Sequence, residues 1–400
     1  MPATKQAKLT NNLVYNPSYD SEPFISFDTI NPSTNIENIN LNWTEKDLPE
    51  KLRTKHVHRL HPYLGKFIPQ LVEIFLRKYE PKTVYDPFCG SGTTLVEAKS
   101  LGIDSIGCDI SEFNVLLSKV KTDDYDIEIL ENEIHDIVRQ FKIKNGNTLY
   151  RSSRLTTDNE YLNTWFAPKA IQELLLYKSL IENCQYKDVM KIILSRAARS
   201  ARLTTHYDLD FPKEPQKEPY YCHKHGRICK PVDSAQKFLI RYSFDTLKRI
   251  KQFSRIKKDA YVTLFCQDSR YVNVPNYDLI FTSPPYVGLI DYHEQHRYAY
   301  EILGLNRRDD EEIGPAFKGQ SNGAKKEYVT KIYEVLKNSM EYINDGGRII
   351  IVVGDKGDLY SSVREKLGLV EEHKISRNVN RRTGRRNSHF FEDILVWEVQ

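Results

Sequence analysis

The stretch from Thr83 to Asp109 constrains this chain more than any other. An apolar run, Thr83-Val84-Tyr85, stops at Asp86. A turn follows, Asp86-Pro87-Phe88-Cys89-Gly90-Ser91-Gly92, and then a helix-forming segment over residues 93–101. A second apolar run, Ser105-Ile106-Gly107-Cys108, stops at Asp109. Strand, glycine loop, helix and strand make the unit of a doubly wound α/β sheet, which binds ligands at the C-terminal ends of its strands. Later strand signals share the form. Residues 260–266 end at Gln267-Asp268, 277–281 at Thr282-Ser283-Pro284-Pro285-Tyr286, and 348–353 at Gly354-Asp355. Residues 374–379 and 394–399 predict an antiparallel closing hairpin.

Between these signals the periodicity changes. Residues 127–141, 168–181, 189–198 and 238–253 read as helices. The chain is therefore expected to be one α/β domain, over 44–118 and 259–400, split by a mostly helical insertion over 119–258. Its 400 residues suffice for one large domain with an insertion. Residues 1–43 are polar, Asn-rich and interrupted by prolines, and predict an arm with little structure of its own. Leu64, Phe67, Ile68, Leu71, Val72, Phe75 and Leu76 predict an amphipathic helix entered through His61-Pro62-Tyr63-Leu64-Gly65.

Several classes are excluded. No run approaches the roughly 18 apolar residues of a membrane span. The first ten residues carry lysines with no apolar stretch behind them, unlike a signal peptide. Six scattered cysteines do not form a disulfide framework. A reduced, soluble, cytoplasmic protein is expected. Lys plus Arg is 58 and Asp plus Glu is 54, a net +4 that neither demands nor excludes a polyanionic partner.

Two constellations carry chemistry. In the first, the Gly90-Ser91-Gly92 turn lets a ligand approach backbone at a helix N-terminus. An acid at the end of the first strand, Asp86, suits an ammonium and would repel a pyrophosphate. Asp109 stands where an acid binds ribose hydroxyls. Asp268 is placed to accept from an adenine amino group. An adenosine with an amino-acid tail fits this set better than a dinucleotide does; the competing reading is that these acids merely cap turns and helices. In the second, two prolines stiffen the loop after residue 281 and leave carbonyls without neighbouring backbone donors. Ser283 Oγ and the Pro284 carbonyl can together accept both hydrogens of one planar amine. Tyr286 offers a ring face to a flat base. Such a site works by positioning and electrostatics. It needs no nucleophile from Cys89 and no metal or base from His293 and His296.

On these motifs the chain resembles the S-adenosylmethionine-dependent DNA amino-methyltransferases of the N4-cytosine/N6-adenine group, the methylases of type II restriction–modification systems. Asp86 to Thr94 is similar to that family's cofactor loop, and Thr282 to Tyr286 to its catalytic loop. His61-Pro62-Tyr63-Leu64-Gly65-Lys66-Phe67 resembles the segment that closes over the methionine moiety. The resemblance covers about residues 56–118 and 260–400. It implies a Rossmann-like class I methyltransferase sheet and S-adenosylmethionine as cofactor. It further implies that Gly90, Ser91, Gly92 and Thr93 hold the methionine end, with His61, Pro62, Phe67, Asp86 and Cys89 around them. Phe88 and Ile110 would flank the cofactor, Asp109 would take the ribose and Asp268 the adenine. Ser283, Pro284, Pro285 and Tyr286 would hold a flipped-out base. Ser-Pro-Pro-Tyr is more typical of N4-cytosine enzymes and Asp-Pro-Pro-Tyr of N6-adenine enzymes, so cytosine N4 is expected. The alternatives are an N6-adenine DNA enzyme, an RNA amino-methyltransferase and a catalytically idle DNA binder. Here the cofactor loop precedes the catalytic loop, whereas many relatives carry the opposite order.

Double-stranded DNA is the expected partner, with a restriction endonuclease acting on the same site as a second. A base inside a duplex must be flipped to reach a buried donor, which needs cations on the phosphates. Two clusters are candidates: Arg196, Arg199 and Arg202, and Arg377, Arg381, Arg382, Arg385 and Arg386. The insertion is the expected source of target recognition. Within it, Cys222, His225 and Cys229 have workable ligand spacing, but a structural zinc site takes four ligands. The fourth would have to come from elsewhere, such as His206 or His223. No metal is expected there, and the loop is read as packing locally or touching DNA.

Overall fold

A computed structural model describes residues 12–14, 24–44, 46–65, 67–146, 155–206, 208–355, 357–379 and 390–399. Its main sheet has seven strands: β1 (Thr83–Asp86), β2 (Asp104–Cys108), β3 (Val262–Phe265), β4 (Tyr277–Thr282), β5 (Ile343–Val353), β6 (Val370–Val379) and β7 (Phe390–Glu398). Their spatial order is β3-β2-β1-β4-β5-β7-β6. β1 to β5 run parallel, while β7 is antiparallel to both β5 and β6. The chain builds outward from β1 to β3 and then starts afresh at β4 on the other side of β1. That reversal makes the β1–β4 boundary the crevice where such a sheet binds ligands.

Alternation along the strands divides the core between two faces. Val84, Leu279, Phe281, Ile350 and Val352 face one way, against α1 (Pro69–Tyr79). Tyr85, Ile280, Ile349, Ile351 and Val353 face the other, with Tyr328 and Ile332 of Asn322–Met340 and Tyr360 of Leu359–Leu367. With both faces covered, β5 reads as a continuous apolar run rather than an alternating one. The segment expected to form a helix from Leu64 instead becomes helical only at Pro69. Proline is at home in the first helical turn and keeps the residue before it extended; Ile68 has ψ 142°. Gly65, at φ +79°, turns the preceding chain, and Phe67 then packs its ring 5.4 Å from that of Phe281.

Residues 27–43, part of the segment read either as an arm draped on the core or as a disordered tail, lie against the core. Phe27, Ile30, Ile36, Ile39 and Leu41 are buried in the α1-side cluster. The Phe27 amide donates to Glu73 at 3.1 Å, and Arg77 pairs with Asp28 at 2.6 Å.

The inserted segment contributes α4 (Ile127–Gly146), α5 (Pro168–Ile181), α6 (Lys187–Ala201) and α7 (Gln236–Ser254), beyond α2 (Thr93–Leu101) and α3 (Glu112–Thr122). Its buried side chains form one cluster with Val57, Leu60, Val96, Phe113 and Leu117, and with Tyr298 and Tyr300 of α8 (Arg297–Leu303). The insertion is thus packed into the sheet's helical layer.

A buried ion cluster joins the segment before α1 to α2. Glu97 accepts from Lys55 at 2.8 Å and meets His58 Nε2 at 2.8 Å, and all three are buried. Glu73 lies 3.6 Å from the same lysine. Removing one member of such a cluster strands a charge in the core. Glu97→Ala is expected to destabilise the protein by about 3–5 kcal/mol, read as a lowered midpoint in urea unfolding. A loss under about 1 kcal/mol would mean that the lysine is satisfied without Glu97.

Candidate active site

Asp86 is the residue around which the two motif loops are assembled. Its side chain is buried at the end of β1. One carboxylate oxygen accepts from Thr94 Oγ1 at 2.7 Å. The other accepts from Thr282 Oγ1 at 2.7 Å and the Phe88 amide at 3.1 Å. The start of α2, the glycine loop and the end of β4 are thereby tied to one group. Burial pushes the Asp86 carboxyl up to about 6, against the opposing pull of Thr282, Thr94 and the Phe88 amide. Asp86, expected beside a ligand ammonium, is not in the cavity wall, and its carboxylate accepts from Thr94, Thr282 and the Phe88 amide.

The glycine loop takes its shape from such bonds. Gly90 and Gly92 have φ +48° and +73°, a region that disfavours any side chain. A Cβ on Gly92 would lie 2.7 Å from Ser118 Oγ. Ser118 donates to the Gly90 carbonyl at 3.0 Å, and the buried Lys121 ammonium donates to the Ser91 carbonyl at 2.5 Å. On the next strand end, Asp109 accepts from the Gly90 amide at 2.9 Å, the Ser111 amide at 2.8 Å and Asn114 Nδ2 at 3.2 Å. Burial raises its carboxyl above the usual range even so. Gly92 itself caps α2 and is not part of the cavity wall.

A cavity opens beside this loop at the β1–β4 crevice. Phe67, Phe88, Cys89, Gly90, Ser91 and Thr93 line it, with Asp109, Ile110 and Asp268 from the neighbouring strand ends and Ser283 and Pro285 from the second loop. The structure therefore brings together most of the residues singled out in the sequence. Cys89 is buried, and burial together with Asp109 and Asp86 holds its thiol well above the ordinary range, far from a thiolate nucleophile.

Other expected residues lie elsewhere. His61 and Pro62 are not in the wall. The His61 ring is buried, 5.1 Å from Phe113 and stacked 6.1 Å from Tyr298, while Tyr63 and Gly65 two and four residues on reach the cavity. Pro284 is not in the wall either. Tyr286 is buried among core side chains with its hydroxyl 3.4 Å from Glu392, so its ring is not offered to the cavity as expected. Asp268 lines the cavity but is held by Arg270, whose Nη2 donates at 2.6 Å and whose amide donates at 3.0 Å.

The expected DNA-binding arginines fare worse. Arg196 pairs with Asp245 at 2.6 Å and covers the Tyr242 ring. Arg199 pairs with Asp210. Arg202 is buried, donates to the Leu209 carbonyl at 2.5 Å and lies over Tyr298. Arg377 is buried against Glu392 at 2.8 Å. All four are held in contacts within the chain. Arg381, Arg382, Arg385 and Arg386 lie outside the described residues.

The far side of the cavity is lined by Tyr63, from the segment expected to close over the methionine moiety, by Tyr292 and His293, from the segment after the catalytic loop expected to line the base pocket, and by Ser111, Asn114, Glu311 and Glu312, which sequence reasoning missed. Glu312 accepts from the His293 amide at 2.7 Å, and its carboxylate meets His293 Nδ1 at 2.5 Å. Three polar atoms on wall residues are buried without a hydrogen-bond partner: Ser91 Oγ, Asn114 Oδ1 and His293 Nε2. Buried polar groups are nearly always satisfied, so this wall is built for a polar ligand. Four acids, Asp109, Asp268, Glu311 and Glu312, make it suited to a cation.

Residues 18–120 match the N6/N4 family described as DNA methylase. The chain is 40% identical over 435 aligned positions to the type II methyltransferase M.MjaII of Methanocaldococcus jannaschii, covering 88% of this chain and 82% of that one. It is 24% identical to the type II methyltransferase M.MvaI of Kocuria varians, over 72% of this chain and 65% of the relative. Among solved structures, TrmN from Thermus thermophilus is similar at 12% identity and a TM-score of 0.34, covering 84% of this chain and 50% of that chain.

The raised Asp86 carboxyl has a measurable consequence. With a folded value of about 6 against 3.8 unfolded, the folded state binds more protons between those limits. The contribution of Asp86 to stability is therefore most favourable below pH 4 and is lost as pH rises through 6. In the ligand-free protein, thermal unfolding of wild type relative to Asp86→Asn is expected to shift upward as pH falls from 7 toward 4, by on the order of 2 kcal/mol. A difference that is flat with pH would show that Asp86 is ionised throughout.

Proposed function

This chain belongs to the type II DNA methyltransferases of the N4/N6 amino-methylating group, and from that premise we propose that its target is the exocyclic N4 amine of a cytosine, flipped out of double-stranded DNA. The family's methyl donor is S-adenosylmethionine. The cavity wall fits that molecule. It pairs an acidic lining with unsatisfied polar atoms at Ser91, Asn114 and His293, and it places the N-terminus of α2 where a carboxylate is stabilised. When bound, the donor supplies an electrophilic methyl on a sulfonium.

The residues then divide the work. Gly90, Ser91 and Thr93 hold the amino-acid end, and Asp109 accepts from the ribose. Phe88 and Ile110 pack on the adenosine. The single observation that carries the cytosine reading is Ser283: a serine lining the cavity directly after β4, where adenine enzymes more often have aspartate. Ser283 Oγ, in the cavity wall, accepts an amine hydrogen and helps turn the nitrogen lone pair toward the methyl. Pro285 keeps the loop from relaxing. With the donor bound, the nitrogen would take the methyl as the methyl–sulfur bond breaks to leave a neutral thioether, the amine proton would leave to water, and the neutral Cys89 thiol would form no covalent intermediate. The cognate endonuclease of a restriction–modification pair is the expected functional partner.

Ser283→Ala is expected to lower turnover roughly a hundredfold, the usual cost of losing one positioned hydrogen-bonding group, with S-adenosylmethionine affinity within about twofold of wild type by calorimetry. Unchanged turnover would remove Ser283 from the mechanism. Incubating the protein with labelled donor and mixed-sequence duplex DNA, then identifying nucleosides by mass, is expected to give N4-methylcytosine. N6-methyladenine would overturn the base assignment, and label confined to added RNA would overturn the substrate class.

A further inference from the structure

Residues 220–229 form a small hairpin in the inserted segment. Tyr220–Cys222 pairs antiparallel with Arg227–Cys229, Tyr220 opposite Cys229 and Cys222 opposite Arg227. The turn closes with the His225 and Gly226 amides donating to the Cys222 carbonyl at 3.1 and 2.8 Å. Two three-residue strands have almost no stability of their own. Packing does not supply what is missing: Tyr221, Arg227 and Ile228 are exposed, and only the two cysteines are buried. Something other than a hydrophobic core holds this hairpin to the rest of the chain.

The cysteines point to what it is. His206 comes from the segment following α6, and its amide donates to the Tyr220 hydroxyl at 3.0 Å. Its ring meets the hairpin so that one ligand atom from each of His206, Cys222, His225 and Cys229 lies within 4.8 Å of the other three. Cys222 Sγ is 3.5 Å from His206 Nδ1 and 3.6 Å from His225 Nδ1, and Cys229 Sγ is 3.4 Å from His225 Nδ1. In a tetrahedral site with Zn–S near 2.3 Å and Zn–N near 2.0 Å, the sulfur–nitrogen edge is roughly 3.5 Å. Ordinary hydrogen bonding accounts for the cluster poorly. His225 Nδ1 faces two thiols, and His206 Nδ1 faces a thiol and the Tyr220 hydroxyl at 3.0 Å, yet each nitrogen has a single in-plane lone pair.

We propose that His206, Cys222, His225 and Cys229 bind one zinc ion as a structural Cys2His2 site. The sequence-based expectation of no metal rested on a missing fourth ligand, and His206 supplies it. Four protein ligands leave no open position for water, so the ion cross-links and does not catalyse. None of the four lines the methyl-transfer cavity. Both thiols must lose a proton for the metal to bind, two protons being released per zinc, so affinity falls as the pH is lowered. The ion fastens the hairpin to the chain leaving α6 and fixes the exposed Lys224, Arg227 and Lys230 on a rigid support.

Elemental analysis of the full chain, purified under reducing conditions and dialysed against a weak chelator, tests the site. One zinc per chain is expected, released in step with mercurial titration of two thiols. His225→Ala removes the exposed ligand without disturbing buried packing and is expected to lower retained zinc at least tenfold, as is Cys229→Ser. Cys184→Ser should retain one zinc. Calorimetric binding of S-adenosylmethionine to each variant separates loss of the metal from failure to fold, and stays intact if the site is purely local. Reduced protein that takes up no zinc when an equivalent is added would overturn the proposal. So would full retention by His225→Ala, or a Cys222–Cys229 disulfide in the freshly isolated protein.

Discussion

One buried carboxylate sets the geometry on which the site depends. Asp86 stands at the end of β1 and holds Thr94 at the head of α2, Thr282 at the end of β4 and the backbone at Phe88. Burying a charge is unfavourable unless its oxygens are filled, and here they are filled from the parts of the chain that must be in register for methyl transfer. Thr94 and Thr282 are 188 residues apart in sequence and share this acceptor. Asp109 repeats the device one strand over, gripping Gly90, Ser111 and Asn114. The glycine loop is thus held from both sides by hydrogen bonds, and Ser118 and Lys121 hold its carbonyls from α3. A loop fixed in this way is preorganised for a ligand before the ligand arrives.

What could be read in the sequence was what is local. The β1–loop–α2–β2 unit and the loop after β4 are continuous stretches in which strand pattern, glycine and proline carry their own structural meaning. Their outlines needed little tertiary information. Asp86 shows the limit of that reading. Its type and position at a strand end were legible, but whether its carboxylate faced the ligand or its neighbours depended on two threonines, one of them nearly two hundred residues away. Part of the far wall was illegible for the same reason, because Asn114 and Glu312 reach it from separate segments that carry no motif of their own. The only local hint was the polar helix start at Ser111, whose hydroxyl caps the Asn114 amide at 3.1 Å.

The arginines show a different limit. Arg196, Arg199 and Arg202 recur every third residue, which looks the same whether the side chains face phosphate or acids folded back on them. Asp245 and Asp210 pair with Arg196 and Arg199, and nothing at residues 196–202 announces them. His206 is the converse case. It lies 16 residues before Cys222, so the sequence offered it only as one candidate beside His223, and the fold brings it to the three that the hairpin supplies.

The shared core of the insertion bears on how such a protein can change over time. Helices α4 to α7 bury their apolar faces together with Leu60, Phe113 and Leu117 ahead of them and with Tyr298 and Tyr300 behind them in the chain. A segment packed in this way is not a cassette. Transplanted into another scaffold it would carry an unmatched half of an interior, and the sheet left behind would expose the other half. Change in the inserted segment is therefore expected by drift at its exposed positions, with its hidden faces held constant, and not by exchange of the whole segment between relatives.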